Sequence, residues 1–157
     1  MISGGSAMKK DVRLYNVLFP AWCLMLIPTV WLIVLPGNFL IDSLVLVVAM
    51  FALKVGEKKQ FYKKYILKIF LFGLLADAIG SVFLFVMAFV LEMGVYGDEW
   101  YMTVPAVLIS AAFIFLFNYG VTFRRCERPV RLRFALTFAI VTAPYTFLIP
   151  SAWLYGF

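Results

Sequence analysis

The sequence predicts an all-α integral membrane protein of five transmembrane helices, with its N-terminus cytoplasmic and its C-terminus extracytoplasmic. Three observations predict this. First, the 157 residues are 65% hydrophobic and only 14% charged, whereas a soluble domain carries about 25% charged residues. Second, the apolar residues lie in long runs, not in a periodic pattern that keeps one face wet. Third, the basic residues fall into three clusters: Lys9, Lys10 and Arg13; Lys54, Lys58, Lys59, Lys63, Lys64 and Lys68; and Arg124, Arg125, Arg128, Arg131 and Arg133. Cytoplasmic loops hold the Lys and Arg excess of a membrane protein, so the chain is expected to leave and re-enter the cytoplasmic side between clusters.

Residues 1–7, rich in Gly and Ser ahead of a second methionine, read as an appended flexible segment, and residues 8–157 as a single five-helix transmembrane domain. The first span is expected over about Leu14–Leu35. It has no small-x-small cleavage site, so it reads as an uncleaved span rather than a signal peptide. Pro36-Gly37-Asn38 is a turn signal that would close a tight hairpin, with Asn38 capping the second span. That second span, about Phe39–Leu53, is short of the roughly 20 residues a crossing needs. Lys54 could complete it by burying its stem. The third span, about Tyr65–Leu91, starts with lysine-bearing turns at the interface. The fourth is expected over Val104–Phe123 and the fifth over Leu132–Trp153. Interfacial aromatics favour the same topology: Trp31, Trp100, Tyr101 and Trp153 at the outer edge, and Tyr15, Tyr62, Tyr65 and Phe123 at the inner edge. Leu26–Leu32 and Leu148–Leu154 are similar heptapeptides, read as two kinked span ends each carrying an interfacial Trp.

Composition also excludes chemistry. The chain has no histidine, which removes imidazole acid–base catalysis and most zinc sites. Cys23 and Cys126 are expected at different depths and form no CxxC pair, so neither a disulfide nor a metal site is expected. No cofactor is implied. The net charge of +6 is juxtamembrane and points to anionic headgroups, not to nucleic acid. No nucleophile–base pair stands at useful spacing, so no enzyme is expected.

The polar residues inside the spans carry the functional reading. Asp77 lies mid-span in Gly73-Leu74-Leu75-Ala76-Asp77-Ala78-Ile79-Gly80-Ser81. An ionised, unpaired carboxylate there costs about 2.5–3.5 kcal/mol or more. Gly73, Ala76, Gly80 and Ser81 are small enough to let a neighbouring helix approach, so Asp77 is expected to face protein. It reads either as a cation or proton site or as a protonated packing element. Asp42 is expected in the first turn of its span near the outer surface, where the helix dipole favours it, or as an outer vestibule that recruits cations toward Asp77, too far in depth from Asp77 to share a proton. Asn118, one turn before Thr122, is a ligand candidate or interhelical glue. In the last span Thr142 and Tyr145, further candidates for binding an ion or substrate, flank Pro144, and Pro150 follows. Together with Pro28 these prolines are expected to kink their helices and free carbonyls. Arg124, Arg125, Arg128, Lys58 and Lys59 are the expected contacts with anionic lipid.

The expectation is thus a small polytopic protein of a plasma membrane, of prokaryotic type, that binds or transports a cation, proton or cationic solute and assembles as a homo-oligomer, most simply a dimer. The alternative is a non-transporting subunit or lipid-binding scaffold of a larger membrane complex.

Overall fold

The computed structural model describes residues 28–90 and 100–149. Among these the chain is helical throughout, with no strand. Four α-helices follow in order: α1 Pro28–Ala52, α2 Lys58–Phe85, α3 Trp100–Phe117 and α4 Arg128–Val141. A π-helical turn, Val86–Val90, extends α2, another, Asn118–Thr122, extends α3, and a 3-10 turn, Tyr145–Leu148, follows α4. Three stretches are long and apolar enough to cross a membrane: Trp31–Ala52, Lys58–Val90 and Trp100–Thr122. The shortest has 22 residues, about 33 Å at 1.5 Å per residue, against a hydrocarbon core of about 30 Å. Their large apolar side chains face outward, among them Leu32, Leu44, Val48, Leu67, Leu71, Val82 and Leu108. That arrangement suits a lipid surround.

Two expected elements are corrected. The turn at Pro36-Gly37-Asn38 does not form, and these residues sit inside the single helix α1. The reason is the solvent. A proline within a helix deprives one carbonyl, here that of Leu32, of its i+4 donor, whereas a turn at that depth would leave several backbone groups unpaired in lipid. Asn38 is therefore not a cap, and the hairpin between the first two expected spans is replaced by one 25-residue helix. The last span is corrected in the opposite sense, because α4 stops at Val141 after 14 residues. Pro144 cannot donate to the Ile140 carbonyl and disfavours helix at Ala143. The carbonyls expected to be free are taken up locally. The Tyr145 hydroxyl donates to Ile140, and the Ile149 amide donates to the Thr146 carbonyl at 3.2 Å. Pro28 is the first described residue of α1, so no kink is described there, and Pro150 lies outside the described residues, as do Cys23, residues 1–27 and Trp153.

The α1–α2 and α3–α4 connections lie at the same end of the bundle. The Phe61 ring of α2 stacks at 5.3 Å on Phe134 of α4, and Tyr65 lies 5.2 Å from Phe123. The two basic clusters from Lys54 to Lys68 and from Arg124 to Arg133 therefore decorate one end of the fold. Buried apolar residues form two groups. One, at the basic end, gathers Val45, Leu46, Met50, Tyr65, Ile69, Phe123, Phe134 and Phe138. The other, at the opposite end, gathers Leu84, Met102, Ala106, Val107, Ala143 and Phe147.

The end of α1 shows how the chain turns at the basic end. The Val55 amide donates to Met50 at 3.0 Å and the Lys54 amide to Phe51 at 3.2 Å. This pair of bonds is a Schellman motif. Its penultimate residue must be left-handed, and Lys54 has φ 51°. Glycine takes that conformation without the Cβ penalty of about 1–2 kcal/mol. Lys54→Gly is therefore expected to raise the stability of the detergent-solubilised protein by about 1 kcal/mol, read as an upward shift of the thermal midpoint. A drop would show that the lysine side chain contributes more than its backbone strain removes.

Candidate functional site

Between the two apolar groups the helices carry a polar belt. On α2 it holds Asp77, Gly80 and Ser81, on α3 Ser110, and on α1 Asp42, all four polar side chains being buried. Small residues on α2 allow this. A Cβ on Gly80 would stand 2.1 Å from Ser110 Oγ, 2.9 Å from the Phe147 ring and 3.2 Å from the Ala106 carbonyl. Helix α3 thus lies almost against the α2 backbone. The Ser110 hydroxyl uses that closeness to donate to the Ala76 carbonyl at 3.1 Å. On another side of α2, a Cβ on Gly73 would stand 3.6 Å from Asp42 Oδ2. Gly73 is thereby the seat of the Asp42 carboxyl, one turn before Asp77.

Asp42 and Asp77 come together, contrary to the expected separation in depth. Asp42 lies at the fifteenth residue of α1, not in a first turn, so the dipole argument does not apply to it. The two carboxyl groups are 6% and 8% exposed and act on each other electrostatically. Asp77 Oδ1 has no hydrogen-bond partner among the described residues. Two carboxylates so placed in a medium of low dielectric repel unless a proton or cation lies between them.

The other expected site residues are distributed elsewhere. Asn118 is fully buried at the start of the π turn closing α3, where the Phe123 amide reaches the Asn118 carbonyl across five residues at 2.9 Å. Its amide donates to Ile114 at 2.9 Å, while Asn118 Oδ1 and Thr122 Oγ1 have no partner. Ser110, Ile114 and Asn118 follow at four-residue spacing and form one stripe of α3. The Thr142 hydroxyl donates to Phe138 at 2.8 Å and that of exposed Tyr145 to Ile140. Both close the end of α4, and neither donates its hydroxyl to a carboxyl in these bonds. Ala76 is buried, and its carbonyl is the Ser110 acceptor. Arg124, Arg125, Arg128 and Lys59 are exposed, and Lys58 holds its ammonium 4.3 Å over the Phe51 ring. Sequence reasoning missed Ser110 as a partner of α2. It also missed the pair Tyr119 and Arg131, whose guanidinium lies 4.0 Å over the tyrosine ring. The signal for Ser110 was available: a hydroxyl midway along an otherwise apolar span.

Among the described residues no three His, Cys, Asp or Glu side chains gather as a metal-holding group. No protein-family model matches the chain, nor does any curated protein or solved structure.

The close approach at Gly80 is directly testable. Gly80→Ala forces the Phe147 ring and the Ser110 hydroxyl apart from α2, and overpacking of this kind costs about 1–3 kcal/mol. The expected outcome is a lower thermal midpoint in detergent, partly restored in the double variant with Ser110→Ala. An unchanged midpoint in Gly80→Ala would mean that α2 and α3 do not pack this closely.

Proposed function

We infer that this chain is a small multi-pass membrane protein that binds and moves a cation, a proton or a cationic solute, with Asp42 and Asp77 as its binding point. The observation that carries the reading is a buried Asp42 carboxyl from α1 seated against Gly73, one turn before buried Asp77 on α2, with Asp77 Oδ1 unpartnered among the described residues. An acidic pair at mid-membrane depth is costly to keep without a function that uses its charge. The two apolar groups above and below the pair would insulate it from both aqueous sides. Asn118 and Thr122, with buried unpartnered oxygens nearer the basic end, extend the polar path toward that side.

In this reading the basic end is cytoplasmic and the membrane a prokaryotic plasma membrane. The long helices α1, α2 and α3 supply three crossings. So small a pathway suits a homo-oligomer, most simply a dimer. A non-transporting subunit or lipid-binding scaffold is the second reading, favoured by the exposed arginines at the basic end.

The first test is thermal stability of the purified protein across a panel of monovalent and divalent cations and organic cations. A ligand at 100 times its Kd raises stability by about 2.7 kcal/mol. At least one cation is expected to raise the wild-type midpoint and to leave Asp77→Asn and Asp42→Asn unmoved. Identical responses in all three proteins would make the aspartates packing elements and remove the proposal. Orientation is tested by single cysteines in a Cys23→Ser/Cys126→Ser background. A cysteine at Lys59 or Arg124 is expected to resist a membrane-impermeant maleimide in intact cells, while one at Tyr101 reacts. The reverse pattern would invert the topology.

A further inference from the structure

At the basic end, α4 presents two guanidinium groups with which no acid among the described residues forms an ion pair. The Arg131 guanidinium lies 4.0 Å over the Tyr119 ring, and Arg128 and Arg131 both act electrostatically on the Tyr119 hydroxyl. They are three residues apart on α4 and so share a face. Glu57 and Glu127 are the only other acids among the described residues besides the buried Asp42 and Asp77. Neither forms an ion pair with these arginines. Arg131 Nε is buried and has no acceptor. Stacking on an aromatic ring holds a guanidinium in one orientation and leaves its N–H edge free for a planar or tetrahedral oxyanion.

The surroundings indicate what that anion is attached to. Tyr119 belongs to the last turns of the membrane-crossing stretch Trp100–Thr122, at the depth where headgroups lie if that stretch spans the bilayer. Arg128, Leu132 and Leu136 follow at four-residue spacing along one stripe of α4, and both leucines are exposed. Exposed Leu116 sits one turn before Tyr119 on α3. A charged pair opening onto an apolar strip fits a molecule with an anionic head and a hydrocarbon tail.

We propose that Tyr119, Arg128 and Arg131 form a discrete binding site for the phosphate of one anionic phospholipid, whose acyl chain runs along Leu132 and Leu136. Arg131, fixed by the tyrosine ring, and Arg128 donate to the phosphate oxygens. The site is independent of the carboxylate pair and does not rest on the reading of that pair.

The test is native mass spectrometry of the detergent-purified protein titrated with phosphatidylglycerol or phosphatidylcholine. Wild type is expected to retain one phosphatidylglycerol per chain at least tenfold more tightly than phosphatidylcholine. Arg128→Gln with Arg131→Gln should abolish that preference. Arg124→Gln with Arg125→Gln, which removes the same charge, should weaken it threefold or less. Arg131→Lys guards against a misfolded double variant: it keeps the charge but loses the fork and should weaken retention several-fold, as should Tyr119→Ala. Equal loss in the two double variants would reduce the site to plain surface charge and overturn the proposal, as would full retention in Arg131→Lys. If inorganic phosphate alone raises the wild-type thermal midpoint as much as phosphatidylglycerol does, the site takes a soluble phosphate and the lipid assignment fails.

Discussion

The near-contact of α2 and α3 at Gly80 is the constraint on which the rest of the interior depends. With no side chain there, the Ser110 hydroxyl reaches across to a backbone carbonyl of α2, and Phe147 comes in from beyond the break in the last helix. In lipid the apolar effect gives little reason for helices to associate, so close packing and interhelical hydrogen bonds carry the association. Gly80 provides the first and Ser110 the second, at one depth. Asp77 stands one turn away, so the same approach that joins the helices also settles what surrounds the carboxyl.

That position gives the polar belt its character. Apolar groups lie on both sides of it along the bundle axis, and acidic side chains reach it from two helices. Gly73 faces the Asp42 carboxyl of α1 at ordinary contact distance, so α2 presents small residues in two directions. Two buried carboxyls that act on each other are costly to charge together. The belt is thereby chemically distinct from the basic end.

Much of this architecture is legible in the sequence, and what is not has identifiable physical causes. The lysine and arginine clusters mark one end of the fold because membrane topology depends on charge, which composition displays directly. The small residues at 73, 76, 80 and 81 identify the packing surface of α2 because no large side chain could occupy it. The reading fails where a local signal competes with the solvent. Pro36-Gly37-Asn38 would turn a chain in water, but in lipid the helix persists through it. That single difference moves Asp42 from an outer first turn to the middle of α1 and so beside Gly73. The 15 residues of Phe39–Leu53 were themselves a warning, being too few for a crossing. Pro144 shows the converse: a proline does end a helix when a hydroxyl such as that of Tyr145 stands ready to take the orphaned Ile140 carbonyl. The cation–π pairing of Arg131 on Tyr119 joins residues on two helices, and no pattern within either one announces it.

The length of α2 has a mechanical consequence. With its π turn the helical stretch runs 33 residues, about 50 Å, well beyond the hydrocarbon thickness of about 30 Å. Its lysine-bearing first turns therefore lie outside the oily layer while Asp77 lies within it, on one rod without a proline. A rod transmits displacement. Because the helix is unbroken from its lysines to Asp77, a displacement of its lysine-bearing end would be carried to the buried carboxyl.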